Sequence, residues 1–385
     1  MNLPFSYFYE KYEDCANHAP GGKKSPQNSS RHSRENLPSS CNNNSATCIS
    51  PNTPDDCPFT KGEAATVIHH LFKGKAPGPD GIDNIIQQIF NKFPFLLMKL
   101  FTTFLKLAKF PNLFKVGNIV IFHKPSKSKT EASFYRPISM LPTIGKVLEK
   151  LLTQRLKFHL EKNNRLSNLQ YGFRERKSAE MAITKLLGSI HKGKASYDHN
   201  RNAILNICEG PEIRDQKKHG CPQGSCSGPA FWNLVANEIL QENWPINTNI
   251  QAFADDLVLV SHARARVQLE SQINQSIAKF STWASKNQLQ ISADKTNYLL
   301  INKLVRGPTI RWKGKRIKRV HALHALGVYI DEKVNWNTQL KAQSTKATQL
   351  YKSLLKIAGK SWGISLKHRR TLYKTVIELV LAYGQ

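Results

Sequence analysis

Gln251-Ala252-Phe253-Ala254-Asp255-Asp256-Leu257-Val258-Leu259-Val260 sets two adjacent carboxylates between two apolar, β-prone runs, Ile250 to Phe253 and Leu257 to Val260. The pattern reads as strand, turn, strand, with both acids at the exposed bend. Side chains at such a bend can meet a hard cation. Mg²⁺ binds through oxygen, usually one or two carboxylates plus substrate phosphates. In-line displacement at phosphorus needs the attacking and the leaving oxygen both stabilised. An Asp-Asp pair alone is equally at home in a solvated turn, so its neighbours decide the reading.

Upstream lies Gly220-Cys221-Pro222-Gln223-Gly224-Ser225-Cys226-Ser227-Gly228-Pro229, followed by a helical run from Ala230 to Gln241. Gly and Pro at this density give a tight turn into a helix whose backbone a flat ligand can approach. Gln223 can offer its amide to a sugar or a base edge. Further back, Lys124 and Arg136 lie in His123-Lys124-Pro125 and Tyr135-Arg136-Pro137-Ile138-Ser139. A basic pair flanking a loop suits a triphosphate, although a single Lys or Arg is more often a solvated surface charge.

In order along the chain, Lys73-Gly74-Lys75-Ala76-Pro77-Gly78-Pro79-Asp80-Gly81, Tyr135 to Ser139, Gln170-Tyr171-Gly172-Phe173-Arg174, Cys221 to Ser225, Phe253 to Asp256 and Leu326-Gly327-Val328-Tyr329-Ile330-Asp331 resemble the reverse transcriptases of non-LTR retrotransposons (LINE), most closely the Jockey-like group. The resemblance runs from about Pro58 to the last residue. It implies an α/β (α+β) right-hand polymerase fold: fingers over 58–190, palm over 191–335 with the Asp-Asp hairpin, and the start of a helical thumb over 336–385, truncated. Periodicity alone supports only a mixed α/β chain. The resemblance further implies an RNA template and DNA primer, deoxynucleoside triphosphates, and Mg²⁺ (or Mn²⁺) held at Asp255 with Asp256 in support. Lys295, on the turn after a long helix, would stand near the leaving pyrophosphate.

Lys and Arg number 56 against 27 Asp and Glu, a formal charge of +29 over 385 residues. That balance calls for a polyanionic partner, with nucleic acid foremost. No run of eighteen apolar residues appears and the N-terminus lacks a cationic lead, so neither a membrane span nor a secretory signal is expected. The seven cysteines show no Cys-x-x-Cys pair, which disfavours zinc and fits reduced thiols in a nuclear or cytoplasmic setting. Cys221 and Cys226 read as packing residues. No obligate protein partner is evident.

Residues 1–57 are read as a disordered or linker segment, because the stretch from residue 13 is rich in Ser, Asn, Pro and Lys. Thr60-Lys61-Gly62-Glu63 reads as a capping box opening a helix with Val67, Ile68, Leu71 and Phe72 on its apolar face. Helices follow over Asp83 to Phe93, Leu96 to Ala108, Ile144 to Leu160, Ser178 to His191 and Ala265 to Lys286. Most of Thr338 to Leu381 is helical. Strands are expected at Val116 to Phe122, Leu289 to Ile291 and Tyr298 to Ile301, with a hairpin turning at Lys313-Gly314. Arg306, Arg311, Lys313, Lys315, Arg316, Lys318 and Arg319 form an acid-free basic stretch. Usually this is a solvated face; with Trp312 it also suits a surface that tracks a nucleic-acid backbone. Trp283 and Trp336 read as core anchors, and Phe253 as packed under the turn.

One departure stands out. Relatives carry a strand ending in Asp between the Gln-Tyr-Gly-Phe and Gln-Gly-Ser regions, and that Asp shares the metals with the hairpin. Here Lys192 to Ile207 contains no apolar strand ending in Asp, and Asp198 is followed by Asn200-Arg201-Asn202, which is turn chemistry. The expectation is a deletion at His199–Asn200, an incomplete palm sheet with open edges, and impaired turnover. Two readings therefore stay open: an RNA-directed DNA polymerase (a nucleotidyltransferase), and a degenerate, non-catalytic nucleic-acid-binding remnant.

Overall fold

The structure is a computed structural model that describes residues 57–383 except 72–77, 83–84, 109, 125–127, 129, 132–133, 196–200, 208–220, 222, 302–306 and 358–362. Residues 1–56, Phe72, Lys73 to Pro77, Asp83, Asp198, the His199–Asn200 junction, Pro222 and Arg306 lie outside the described residues. The chain divides into two compact units. One holds the described residues up to Leu166 and, later, those up to Leu234; the other holds those from Ser167 to Ile207 and from Val235 onward.

The first unit is mainly helical. Helix α1 (Lys61–His69) opens on the expected capping box: Thr60 Oγ1 accepts from the Glu63 amide at 3.2 Å and a Glu63 carboxylate oxygen accepts from the Thr60 amide at 2.8 Å. Helices α2 (Ile85–Lys92), α3 (Pro94–Lys106), the short α4 (Asn112–Lys115) and α5 (Thr143–Lys162) follow. Val67, Ile68, Ile86, Phe90, Leu97, Phe101, Leu148 and Leu151 pack into one core between them. Between α4 and α5 stands an antiparallel hairpin, β1 (Asn118–His123) with β2 (Tyr135–Met140). Asp80 of the Gly-Pro-Asp-Gly turn accepts from the Thr143 amide at 3.0 Å and so satisfies an N-terminal donor of α5. A Cβ on Gly78 would fall 2.4 Å from the Leu141 carbonyl, so this turn needs its glycine to lie so close.

In the second unit come α6 (Ala179–Ala195) and β3 (Arg201–Ile207); α7 (Gly228–Leu240) begins in the first unit and ends in the second. Then follow β4 (Thr248–Phe253), β5 (Asp256–Ala263), α8 (Arg266–Lys286), β6 (Asn297–Ile301), β7 (Arg311–Trp312), β8 (Lys315–Arg316), β9 (Lys318–Val320), β10 (Ala322–Ala325) and β11 (Val328–Asp331). Helices α9 (Asn337–Ile357), α10 (Leu366–Leu372), a π-helical turn (Tyr373–Glu378) and α11 (Leu379–Ala382) complete the described chain. The main sheet has the order β4-β5-β3-β6-β9, antiparallel except for β6 with β9. Leu186 and Ile190 of α6 pack on one face with Ile204, Val258, Val260, Leu299 and Ile301.

Three expectations need correction. The sheet expected to be left open at its centre is not, because Arg201 to Ile207 fills the slot between β5 and β6. Asn-Arg-Asn looked like turn chemistry, but Ala203, Ile204, Leu205 and Ile207 are buried, and two unpaired strand edges outweigh a local preference. Leu289 to Ile291 forms no strand beyond a single bridge residue at Ile291; Gln288 is left-handed (φ 55°) and the Leu289 amide donates back to the Ala284 carbonyl, closing α8. Trp336 is only half-buried, whereas Trp283 is a core residue.

Candidate active site

Asp255 and Asp256 end a two-residue hairpin. Phe253 pairs with Asp256, Ala254 and Asp255 make the turn, and Asp256 starts β5. Asp255 is exposed, Asp256 and Phe253 half-buried. Ala254 takes a left-handed conformation at φ 55°, a strain that alanine keeps only when its surroundings over-determine it.

The surroundings here are Gln170 and Gly172. Gln170, 1% exposed, accepts from the Ala254 amide at 3.1 Å and donates to the Ala254 carbonyl at 3.3 Å. The same side-chain oxygen takes the Gly172 amide at 3.0 Å. The Tyr171 amide donates to the Ala252 carbonyl, and the Ala252 amide to the Leu169 carbonyl. A Cβ on Gly172 would lie 2.0 Å from the Ala254 nitrogen. The Gln-Tyr-Gly segment is thus the seat of the hairpin turn. Sequence reasoning quoted these residues without seeing this role, since 84 positions separate the partners.

Strand β6 begins opposite Asn206 near the end of β3 that pairs beside the hairpin, so Lys295, exposed two residues before β6, belongs to the same end of the sheet as Asp255. Its carbonyl accepts from Asn297 Nδ2 at 3.2 Å. In β7–β8, Arg311 pairs with Arg316 and Trp312 with Lys315, turning at Lys313-Gly314 as expected. Arg311, Lys313, Lys315 and Arg316 are all exposed. Trp312 is 4% exposed and cannot stack on bases, so the side chains this hairpin offers a partner are its cations.

In the first unit, Phe122 pairs with Arg136, and the Lys124 amide donates to the Phe134 carbonyl. Strand alternation puts Lys124 and Arg136 on one face of this hairpin. The Ser139 amide donates to the Gln223 carbonyl at 2.8 Å, which ties the Gln-Gly-Ser turn to β2; Gln223 itself is exposed. Gly224 is left-handed at φ 108°. Glu149, buried on α5, accepts from Ser227 N and Oγ at the start of α7. Burial, then the Glu149 charge, push the Cys221 thiol up to about 11, which fits a packing residue and not a nucleophile.

Among the described residues, no three His, Cys, Asp or Glu side chains cluster as metal ligands, and no helix is long and apolar enough to cross a membrane.

Residues 197–330 match the reverse transcriptase (RNA-dependent DNA polymerase) family model. Over the matched residues the chain is similar to reverse transcriptases, and its relatives are proteins of non-LTR retrotransposons. It is 28% identical to the putative 115 kDa protein in the type-1 retrotransposable element R1DM of Drosophila melanogaster, over 84% of this chain and 35% of that protein. It is 23% identical to the RNA-directed DNA polymerase from mobile element jockey of the same species, over 84% of this chain and 41% of that one. The resemblance therefore takes in R1-type as well as jockey-type elements, and the chain spans well under half the length of either relative. The telomerase of Candida albicans, solved with a telomeric RNA fragment, is a looser likeness (TM-score 0.35, 13% identity, 71% of this chain and 57% of that one). The strand β3, the Asp-Asp hairpin, α8 and the β7–β8 hairpin all fall in the matched residues.

Proposed function

We propose that this chain is the RNA-directed DNA polymerase domain of a non-LTR retrotransposon, acting on an RNA template and a DNA primer. The observation that carries the reading is the Asp255-Asp256 turn, seated by Gln170 and Gly172 at the end of a five-stranded sheet. Fingers, palm and thumb are assigned over 58–190, 191–335 and 336–385. The primer 3′-hydroxyl oxygen would bond to the α-phosphorus while the bond to the leaving pyrophosphate breaks. Lys124 and Arg136 are assigned to the triphosphate, Gln223 to the nucleotide or template, and Lys295 to a proton for the pyrophosphate. The two hairpin carboxylates, one exposed and one half-buried, are oxygen donors of the kind Mg²⁺ or Mn²⁺ takes. Asp255, with Asp256, would hold the ion, which supplies charge neutralisation at the transferred phosphoryl group.

Impaired turnover belongs to the same reading. The described part of β3 carries Asn206 and no carboxylate, so the ion loses a charged ligand. Primer extension on an RNA template with Mg²⁺ is the test, and severely depressed activity that disappears in Asp255→Ala is expected. Rapid extension abolished by Asp198→Ala would refute the impairment. Binding of primer–template with no extension under any divalent ion would favour the second reading, a nucleic-acid-binding remnant.

A further inference from the structure

In a chain of net charge +29, strand β1 carries no Lys, Arg, Asp or Glu: it reads Asn118-Ile119-Val120-Ile121-Phe122-His123. Among the described residues it pairs only with β2, in a sheet of two strands. Side chains alternate between the faces of a strand, so Ile119 and Ile121 share one face and Val120 and Phe122 the other. All four are exposed, Ile121 at 65% and Phe122 at 53%, so neither face of β1 lies on a core. The exposed apolar run begins earlier in the chain, with Leu113 and Val116.

The backbone shows which edge of this hairpin is open. The Ser139 amide donates to the Gln223 carbonyl and so points away from β1, which makes Ser139 and Ile119 a non-hydrogen-bonded pair. The Lys124 amide donates to the Phe134 carbonyl. By alternation Asn118, Val120 and Phe122 direct their backbone groups to β2, and Ile119, Ile121 and His123 direct theirs outward. The outer edge of β2 is closed by the Gln223 turn and by Pro137, which has no amide hydrogen. The outer edge of β1 has none of the devices that blunt an edge: it holds neither Lys nor Pro, and the strand is six residues long.

We propose that two copies of this chain associate through β1, edge to edge and antiparallel, about a two-fold axis at Ile121. The outward positions fit themselves in this register. Ile121 meets Ile121 and Ile119 meets His123. Val120 meets Phe122, a β-branched and aromatic pair of the kind that stabilises sheets. Asn118 meets Lys124, so no two cations are opposed. Such a contact is closed, because both copies use the same surface. An extended acidic segment of another protein could also add to an open edge, but β1 itself has no cation to select it. The inference does not depend on the polymerase reading.

A single pair of strands falls short of the about 1,000 Å² that a stable interface clears, and two chains of charge +29 repel each other. Dimerisation should therefore be reversible and concentration-dependent. It should also tighten as salt shortens the screening length from about 8 Å to about 3 Å, the sign opposite to that of RNA binding.

The test is sedimentation of the purified chain, free of nucleic acid, across concentrations at about 0.15 M and about 1 M salt. A monomer–dimer equilibrium that tightens with salt is expected. Ile121→Lys sets two cations against each other at the axis and should weaken it by about tenfold or more. Leu113→Lys, outside the strand, should leave it unchanged. Hydrogen-bonded antiparallel partners have Cα atoms about 5.5 Å apart, within disulfide range. Ile121→Cys should accordingly cross-link to its own copy on oxidation, with the bridge located by peptide mass spectrometry. A chain that stays monomeric at every concentration and salt would overturn the proposal. So would a dimer that Ile121→Lys leaves intact, or one that Leu113→Lys weakens equally, since general apolar adhesion would then explain it. A monomer whose β1 amides gain protection from hydrogen exchange only on adding polyglutamate would give the edge to an acidic partner instead.

Discussion

Ala254 occupies a backbone region that costs an L-residue about 1 kcal/mol or more, and the Gln170 amide closes over both its polar groups to keep it there. Substituting Gly172→Ala would push a methyl group into the Ala254 nitrogen, so the turn must shift or the segment must lift. Overpacking of this kind costs about 1–3 kcal/mol, to be read as a lower denaturation midpoint, and the Mn²⁺ binding proposed for Asp255 should weaken with it. Gln170→Leu should lower stability similarly, because two backbone groups of Ala254 lose their partner. Cys221 gives a pH-dependent counterpart. Its thiol is raised in the folded chain, so the folded state binds a proton that the unfolded state has already released. Its contribution to stability is full below the ordinary thiol value and fades as pH rises towards about 11. Alkylation of native Cys221 near pH 8 should be far slower than in the unfolded chain. The Asp-Asp turn and the inertness of Cys221 were legible in the sequence, being local chemistry. The Gln170 clamp was not, since nothing local marks a glutamine as the partner of a backbone so far along the chain.

Arg155 does comparable work between elements. Its guanidinium, 9% exposed, pairs with Glu63 at 2.9 Å, donates to the Pro58 and Cys57 carbonyls, and stacks 4.2 Å from the Phe59 ring centre. One side chain of α5 thereby fixes the entry into α1. Removing it leaves the Glu63 charge without its cation and two carbonyls without a donor, so Arg155→Leu is expected to destabilise the chain towards the lower end of about 3–5 kcal/mol, because Glu63 keeps the Thr60 donors and some water. Burial alone would raise the Glu63 carboxyl, but the Arg155 bond, the Thr60 amide and the guanidinium charge outweigh it and hold it low. This stabilisation is complete above the ordinary carboxylate range and is lost as pH falls through the lowered value. Acid unfolding of Glu63→Gln should accordingly show a shallower dependence on pH. The capping box and most helices were readable from period and cap residues, and their ends moved by only a few residues. The central strand was not readable. Asn-Arg-Asn argues for a turn, and only the free edges of β5 and β6, supplied by distant sequence, make Arg201 to Ile207 a strand. Leu289 to Ile291 failed for the opposite reason: a strand-like run was consumed in closing a helix.

A formal charge of +29 repels itself wherever basic side chains converge, and β7–β8 is such a place. Arg311 and Arg316 are direct cross-strand partners, an arrangement that is unfavourable between like charges unless an anion lies against both. Lys315 reaches Asp294 only at 4.0 Å, with both groups well exposed, and a pair so solvated contributes little. A phosphate backbone would relieve this repulsion, and its affinity would come from released counterions. Binding of the chain to single-stranded RNA should weaken steeply with salt, by about 0.7 log units per decade of salt for each phosphate neutralised. Replacing Lys313, Lys315 and Arg316 together by Gln should flatten that slope by up to about 2, while the buried Trp312 keeps the hairpin in place. The same slope in the triple variant would place the RNA elsewhere on the molecule. Affinity that ignored salt altogether would remove the electrostatic basis of the nucleic-acid reading, because a chain this basic cannot bind a polyanion without displacing the ions around it.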